Sequence, residues 1–421
     1  MWVMKKSSLR RNRIKIIIAF LVMLFVVYVI IYFRDDSDLH IPSLERISSS
    51  WHNIFGTTFM YSAYWDDREE PHVKILASGP YDERLETIKC YLLSESLSIT
   101  KGNATFSIMD FENHGNSYTP IFFFCYPNDR RRPTKIMLSA RNGRNSTWMP
   151  VRTLAPVGNI KNKIAVCVRP LFGTFSNNNL QVAEFIAFYH LLGADHFVFY
   201  NFEADSSLLR LLREISSSGI SMDILPWDMP QVLYNMWSYG QVLSITDCVY
   251  RVASTHEFAL VIDFDEFIVP RQNYSLQRII ASSNNTNRIA SFVFKHVFFC
   301  LDYANFPHRM KLPLITQTVD LRKSEIFPWS NRAKSIVRPL ATILPGIHKI
   351  LLTRQRWKPM SIIKEEVALM NHYRRGVCSL WNKLGYESVQ EKIAFKYRNA
   401  LLESLPIKVW RRLYDRSNLV L

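Results

Sequence analysis

Asp263 and Asp265 stand one residue apart at the end of the apolar run Phe258–Ile262, and Glu266 follows directly. A short apolar run that stops abruptly in acidic residues reads as a buried strand breaking into a loop. Alternation along an extended chain puts the two aspartates on one face and turns Phe264 to the other. Two carboxylates at that spacing, at the carboxyl end of a central strand, can hold a hard divalent cation against a diphosphate. Asp265 is the expected direct ligand, Asp263 is expected to reach the metal through water or to hold the ribose and metal shell, and Glu266 is expected to face away and anchor the loop.

The elements that must position this pair begin at Lys163, where strand and helix patterns alternate. Ile164–Val168 reads as a buried strand, and Val182, Phe185, Ile186, Tyr189 and Leu192 then recur at helical spacing. Next come a strand at His196–Tyr200, a helix at 206–216, a strand at Ser221–Leu225 and a helix at 237–252 that leads into the Phe258 strand. Repeated units of this length predict an α/β fold with a doubly wound, mostly parallel sheet and right-handed crossovers. Ligands in such sheets sit outside the strand carboxyl ends, where Arg169, Pro170, Asn201 and Asp263 fall. No Gly-X-Gly-X-X-Gly or Gly-Lys-Ser/Thr follows any of these strands, which disfavours dinucleotide and P-loop sites.

Residues 14–33 are aliphatic and aromatic apart from Lys15, long enough to cross a bilayer as a helix. Basic residues precede the run while Asp35, Asp36 and Asp38 follow, so residues 1–13 are expected in the cytoplasm and the bulk in the lumen. No small-residue cleavage site follows, which favours a signal anchor over a cleaved signal peptide. Residues 34–70 read as a stem, 71–155 as a small sandwich-like β-rich module, and 156–421 as the α/β domain. Sequons for glycosylation stand at Asn103, Asn145, Asn273 and Asn284, and all six cysteines lie beyond the anchor, as a secretory-pathway protein requires. Cys90 and Cys125 are placed for a bridge within the module, whereas Cys167 reads as a buried thiol. The net charge of +16 is scattered rather than concentrated, and the compartment excludes a nucleic-acid partner.

Several segments together resemble glycosyltransferase family 92: Val166–Gly173, Glu184–Tyr200, Gln241–Arg251 with its Asp247-Cys248 pair, Asp263–Pro270, Lys334–Pro339, Gly346–His348 and His372–Arg374. The resemblance covers roughly the C-terminal half and implies a GT-A fold of the Golgi membrane. It also implies transfer of a sugar, galactose in the best-known members, from a uridine-diphosphate donor to a glycan acceptor with inversion, using a divalent metal, usually manganese. Arg169, Pro170 and Asn201 would then lie at the uracil and ribose, and Asp263 at the donor as well as the metal. Asp247 and Arg251 would position the donor, although four-residue spacing on a helix also suits an ordinary ion pair. Lys334 and Arg338, flanking an apolar pair in an expected edge strand, would clamp diphosphate or acceptor. His372, at the end of an apolar run, is the favoured imidazole ligand for manganese, with His348 assigned to the acceptor or diphosphate side. Asp302 and Glu325 are general-base candidates without a supporting motif, so the base stays unassigned. The competing reading is a membrane-anchored glycan-binding protein on an inactive transferase scaffold.

Overall fold

The computed structural model describes Met23 and residues 50–414, apart from 82–84, 86–87, 111, 130, 140–146, 173–178, 273, 285, 304–311 and 377–386. The expected membrane span lies, apart from Met23, outside the described residues, among which no helix is long and apolar enough to cross a bilayer. Asn145 and Asn273 also fall outside them, whereas Asn103 and Asn284 are exposed.

Eight strands build the first unit: β1 (His52–Phe55), β2 (Thr58–Asp66), β3 (His72–Pro80), β4 (Lys89–Leu93), β5 (Ile99–Ile108), β6 (Tyr118–Tyr126), β7 (Lys135–Ser139) and β8 (Met149–Thr153). Their order is β1-β2-β3-β6-β5-β4-β7-β8, and β2 also pairs with β8, so seven of them close into a barrel. Closure removes the free edges that a sandwich would leave, which corrects the sandwich-like expectation. The stem expectation is corrected too, because residues 52–66 are strands whose Met60, Ala63 and Trp65 pack into the barrel core. Cys90 and Cys125 are bonded within that core.

The second unit is mixed α/β. Its strands β9 (Ile164–Cys167), β10 (His196–Asn201), β11 (Met222–Pro226) and β12 (Phe258–Val261) alternate with helices α1 (Asn179–Leu191), α2 (Ser206–Ser217) and α3 (Gln241–Val252). The next strands are β13 (Glu266–Pro270), β14 (Ser291–Phe294), β15 (His296–Cys300), β16 (Leu321–Lys323) and β17 (Lys334–Val337). The last are β18 (Thr342–Pro345), β19 (Ile350–Thr353), β20 (Ser361–Ile362), β21 (Ala368–Arg374) and β22 (Ser388–Gln390). One sheet runs β11-β10-β9-β12-β17-β14-β20 and a second β13-β21-β15-β16-β22. The first four strands are mutually parallel, but β17 pairs antiparallel with both β12 and β14. Thus β17 is interior rather than at an edge, and Lys334 is buried.

Period-two alternation decides what covers each face. Ile164, Val166, Phe197, Phe199 and Leu260 turn toward α1 and α2, whereas Ala165, Cys167, Val198, Tyr200, Ala259 and Val261 turn toward α3 and the outside of the barrel. Cys167 is not a free thiol, because α3 lies over β9 and brings Cys248 to 5.8 Å in Cα separation, where the two are bonded. Closing an 81-residue loop in this way stabilises the fold by about 4.5 kcal/mol in the chain-entropy treatment.

On α1, the fully buried Glu184 carboxylate accepts hydrogen bonds from the Ile315 amide at 2.8 Å, the Thr316 amide at 2.9 Å and the Thr316 hydroxyl at 2.5 Å. Burial outweighs these three bonds and pushes Glu184 up from 4.5 to about 7. Because the folded value lies above the unfolded one, the stabilisation is complete below pH 4.5 and is lost as the pH rises to about 7. The loss is about 3 kcal/mol. Glu184→Gln is expected to flatten the pH dependence of urea unfolding across that window. An unchanged slope would remove Glu184 as its source.

Candidate functional site

The acidic motif does not continue as a strand. β12 ends at Val261 and β13 starts at Glu266 in the other sheet, so Ile262–Asp265 is a turn that passes between the two sheets. Reciprocal bonds close it: the Glu266 amide donates to the Asp263 carbonyl at 3.1 Å, and the Asp263 amide donates to Glu266 Oε2 at 2.9 Å. Phe264 is driven inward against Phe185 and Phe199, which leaves Asp263 and Asp265 lining a cavity of about 750 Å³. The shared face expected from strand alternation is therefore produced by a turn, because Phe264 is the residue with apolar area to bury.

Antiparallel pairing of β13 with β21 sets Glu266 directly opposite His372. His372 Nε2 lies 3.2 Å from Asp265 Oδ2, and its Nδ1 lies 3.6 Å from Glu266 Oε1. On the other side Lys334 Nζ lies 2.7 Å from Asp263 Oδ2 and 3.3 Å from Glu266 Oε2, and Gln241 donates to Asp263 Oδ1 at 3.2 Å. Burial opposes the Asp263 charge, but Lys334 and Arg169 together hold its carboxyl down to about 2. Burial pushes Glu266 up to about 7, against the attraction of Lys334 and with the repulsion of Asp263. Burial also opposes a charged His372, yet the bond to Asp265 and the neighbouring carboxylates raise it above its ordinary value. His348 lines the same cavity and is lowered to about 4, first by burial and then by Lys334.

The sequence from 162 to 411 matches the profile named "Glycosyltransferase family 92". The chain belongs to glycosyltransferase family 92. It is 29% identical over 110 residues to the Caenorhabditis elegans protein named beta-1,4-galactosyltransferase galt-1, a match covering 26% of this chain and 25% of that one. It is 25% identical over 296 residues to a protein of the same organism named as a glycosyltransferase family 92 protein, covering 65% of this chain and 55% of the relative. The matches thus span a quarter and about half of the lengths of these relatives.

In this family 92 chain Arg169, two residues beyond β9, reaches the cavity with its guanidinium 4.8 Å from the Phe172 ring centre, and its buried Nε has no hydrogen-bond partner among the described residues. Other residues assigned from sequence stand elsewhere. Arg251 donates to Asp247 Oδ2 at 2.9 Å, and the hydroxyls of Tyr64 and Tyr200 donate to the same carboxylate at 2.5 and 2.7 Å. This is the intrahelical pair, sealed between α3, the barrel and β10, and it does not line the cavity. Asn201 receives the Ala204 amide at 3.3 Å and Pro170 is buried beside Arg169; neither lines the cavity. Arg338 follows the opposite end of β17 from Lys334, where it pairs with Glu257 and donates to the Ile289 carbonyl at 3.1 Å. Asp302 and Glu325 are exposed outside the cavity lining, and Asp302 accepts from the Gly376 amide at 2.9 Å.

Residues that sequence reasoning missed complete the lining: Glu112 and His114 from the β5–β6 connection, Trp237, Ser238 and Gln241 at the approach to α3, and Arg332, Ile347 and Arg374. The only trace of the first pair in the sequence is the Asn-His-Gly-Asn turn signal at 113–116, which marks a turn without saying what it faces.

Lys334→Met is expected to leave Asp263 and Glu266 buried without their cation and to lower unfolding free energy by about 3–5 kcal/mol. Guanidinium titration at neutral pH checks this. A loss below about 1 kcal/mol would show that the turn is held by something else.

Proposed function

We propose that this protein is a metal-dependent, inverting glycosyltransferase that moves a sugar, galactose, from a UDP donor to a hydroxyl of a glycan acceptor. The observation that carries the reading is the Asp263-Phe264-Asp265 turn, which opens at the carboxyl end of a parallel strand into a polar cavity of about 750 Å³ beside His372. Family membership and the name of the galactosyltransferase relative support the donor class. Four parallel strands with helical clusters on both faces support a GT-A type catalytic unit over residues 156–421.

Among the described residues no group of three or more His, Cys, Asp or Glu side chains is arranged to hold a metal. The adjacent carboxylate of Asp265 and imidazole of His372 nevertheless suit manganese and would hold it. Asp263, already held by Lys334, would act on that shell from behind. A bound divalent ion would supply Lewis-acid stabilisation of the leaving diphosphate. Arg169, whose buried Nε has no partner among the described residues, is positioned to bind an anionic donor group. His348, lowered to about 4, stays neutral at physiological pH and would serve as a hydrogen-bonding group on the acceptor or diphosphate side.

The reading extends to topology: a type II Golgi membrane protein anchored by residues 14–33. Charge asymmetry around that segment, two buried disulfides and the exposed sequons at Asn103 and Asn284 support it. Protease protection in intact microsomes tests it, and digestion of the bulk without detergent would overturn it.

The central experiment is release of UDP from UDP-galactose and other sugar nucleotides, with and without manganese. Asp265→Asn is expected to lower turnover roughly 100- to 1000-fold, the effect of about 3–4 kcal/mol of lost electrostatic stabilisation. Full activity in chelator, or near-normal turnover by this variant, refutes the metal site. His372→Ala should raise the manganese concentration for half-maximal rate, and His348→Ala should lower turnover without that shift. The reverse pattern would exchange their roles.

A further inference from the structure

Four carboxylates line the cavity: Glu112, Asp263, Asp265 and Glu266. The last three are engaged, Asp263 and Glu266 with Lys334 and Asp265 with His372. Glu112 alone has no ion pair among the described residues. Each of its oxygens lies 3.4 Å from the Ile347 amide, the long end of hydrogen-bond range, so its lone pairs stay available to a bound molecule.

Glu112 is also held firmly. The Asn113 and Asn116 side-chain amides each donate to the other residue's carbonyl at 2.6 Å, which braces the turn that follows it. His114 takes a left-handed conformation at φ 52° and packs on Trp237 with ring centres 4.0 Å apart. The barrel turn is thereby pinned to the approach of α3, and Glu112 is fixed beside the turn that carries His348.

We propose that Glu112, supplied by the β-rich barrel rather than by the α/β unit, is the general base that takes the proton of the acceptor hydroxyl. The proposal rests on the transferase reading. In the step, the acceptor O–H proton passes to a Glu112 oxygen while the acceptor oxygen forms a bond to the anomeric carbon. The bond from that carbon to the β-phosphate oxygen breaks, and its electron pair leaves on the nucleoside diphosphate. Burial raises Glu112 above its ordinary value, against the Ile347 amide and Lys334, which strengthens it as a base. The barrel is on this account part of the active site.

The test uses the full luminal chain with UDP-galactose, a panel of glycoprotein glycans and manganese. Glu112→Gln keeps the size and the acceptor for the Ile347 amide. Its kcat is expected to fall 100- to 10,000-fold, the range for loss of a general base. The affinity for UDP with manganese, measured by calorimetry, is expected to stay within twofold of wild type, and Tm within a few degrees. Glu112→Asp, which keeps the carboxylate, should recover part of the rate. Transfer by Glu112→Gln within tenfold of wild type overturns the proposal, as does parallel loss of UDP affinity and Tm, which would mark a structural role. A wild-type protein that binds UDP and turns over no sugar nucleotide overturns both this inference and the transferase reading.

Discussion

A single buried ammonium organises the middle of the α/β unit. Lys334 is the first residue of β17 and meets two carboxylates, Asp263 at the end of the β12 turn and Glu266 at the start of β13. One cation cannot fully neutralise two anions in a poorly solvated place, so the carboxyls divide, Asp263 held down to about 2 and Glu266 pushed up to about 7. That division explains the architecture around it. The chain leaves one sheet for another between these residues, and the ion pair fastens both banks of the crossing to the interior antiparallel strand. With Glu266 opposite His372 in the β13–β21 ladder, the imidazole is drawn toward Asp265. Phe264 completes the arrangement by burying its ring where the turn would otherwise be free to rotate.

A second constraint fixes the barrel to this centre. Tyr64 of β2 and Tyr200 of β10 share the Asp247 carboxylate with Arg251 of α3, while the Cys167–Cys248 bridge ties the same helix to β9. Tyr61 and Trp51 add aromatic contacts to Trp227, with ring centres 4.4 and 5.0 Å apart. A charged, hydrogen-bonded network surrounded by aromatic packing is rigid. It holds the barrel in one position on α3, which is what lets a turn between β5 and β6 contribute to a cavity formed by distant strands.

Whatever depends on local pattern was legible in the sequence. Buried strands announced themselves as apolar runs, the two aspartates by an abrupt change of polarity, and His372 by its place at the end of Val367–Met370. What failed depended on pairing. Nothing local says that β17 enters the sheet between β12 and β14, so Lys334 is expected from the sequence in an edge strand. The spacing of Asp247 and Arg251 suits an ion pair as well as the donor role assigned to them, and the tyrosines that bury the pair come from other elements. Residues 52–66 looked like a stem because an edge-to-edge barrel closure has no sequence signature of its own. Glu112 was out of reach for the same reason.

Backbone strain points to the same place as the electrostatics. Six described residues other than glycine have positive φ, and three of them, His114, Ser238 and Arg332, line the one cavity that holds the acidic turn. Tyr239, at φ 53°, adjoins Ser238 and stacks on Phe202. Such conformations cost about 1–3 kcal/mol each and persist only where the surrounding packing over-determines them. Here the packing is identifiable: His114 against Trp237, Tyr239 against Phe202 and Phe172, and Gly240 at φ 80° completing the entry to α3. The stability of barrel and sheet is thus used to hold side chains from both units in fixed positions around one polar cavity. A site that must meet a charged, flexible molecule without rearranging benefits from having its own reorganisation done during folding.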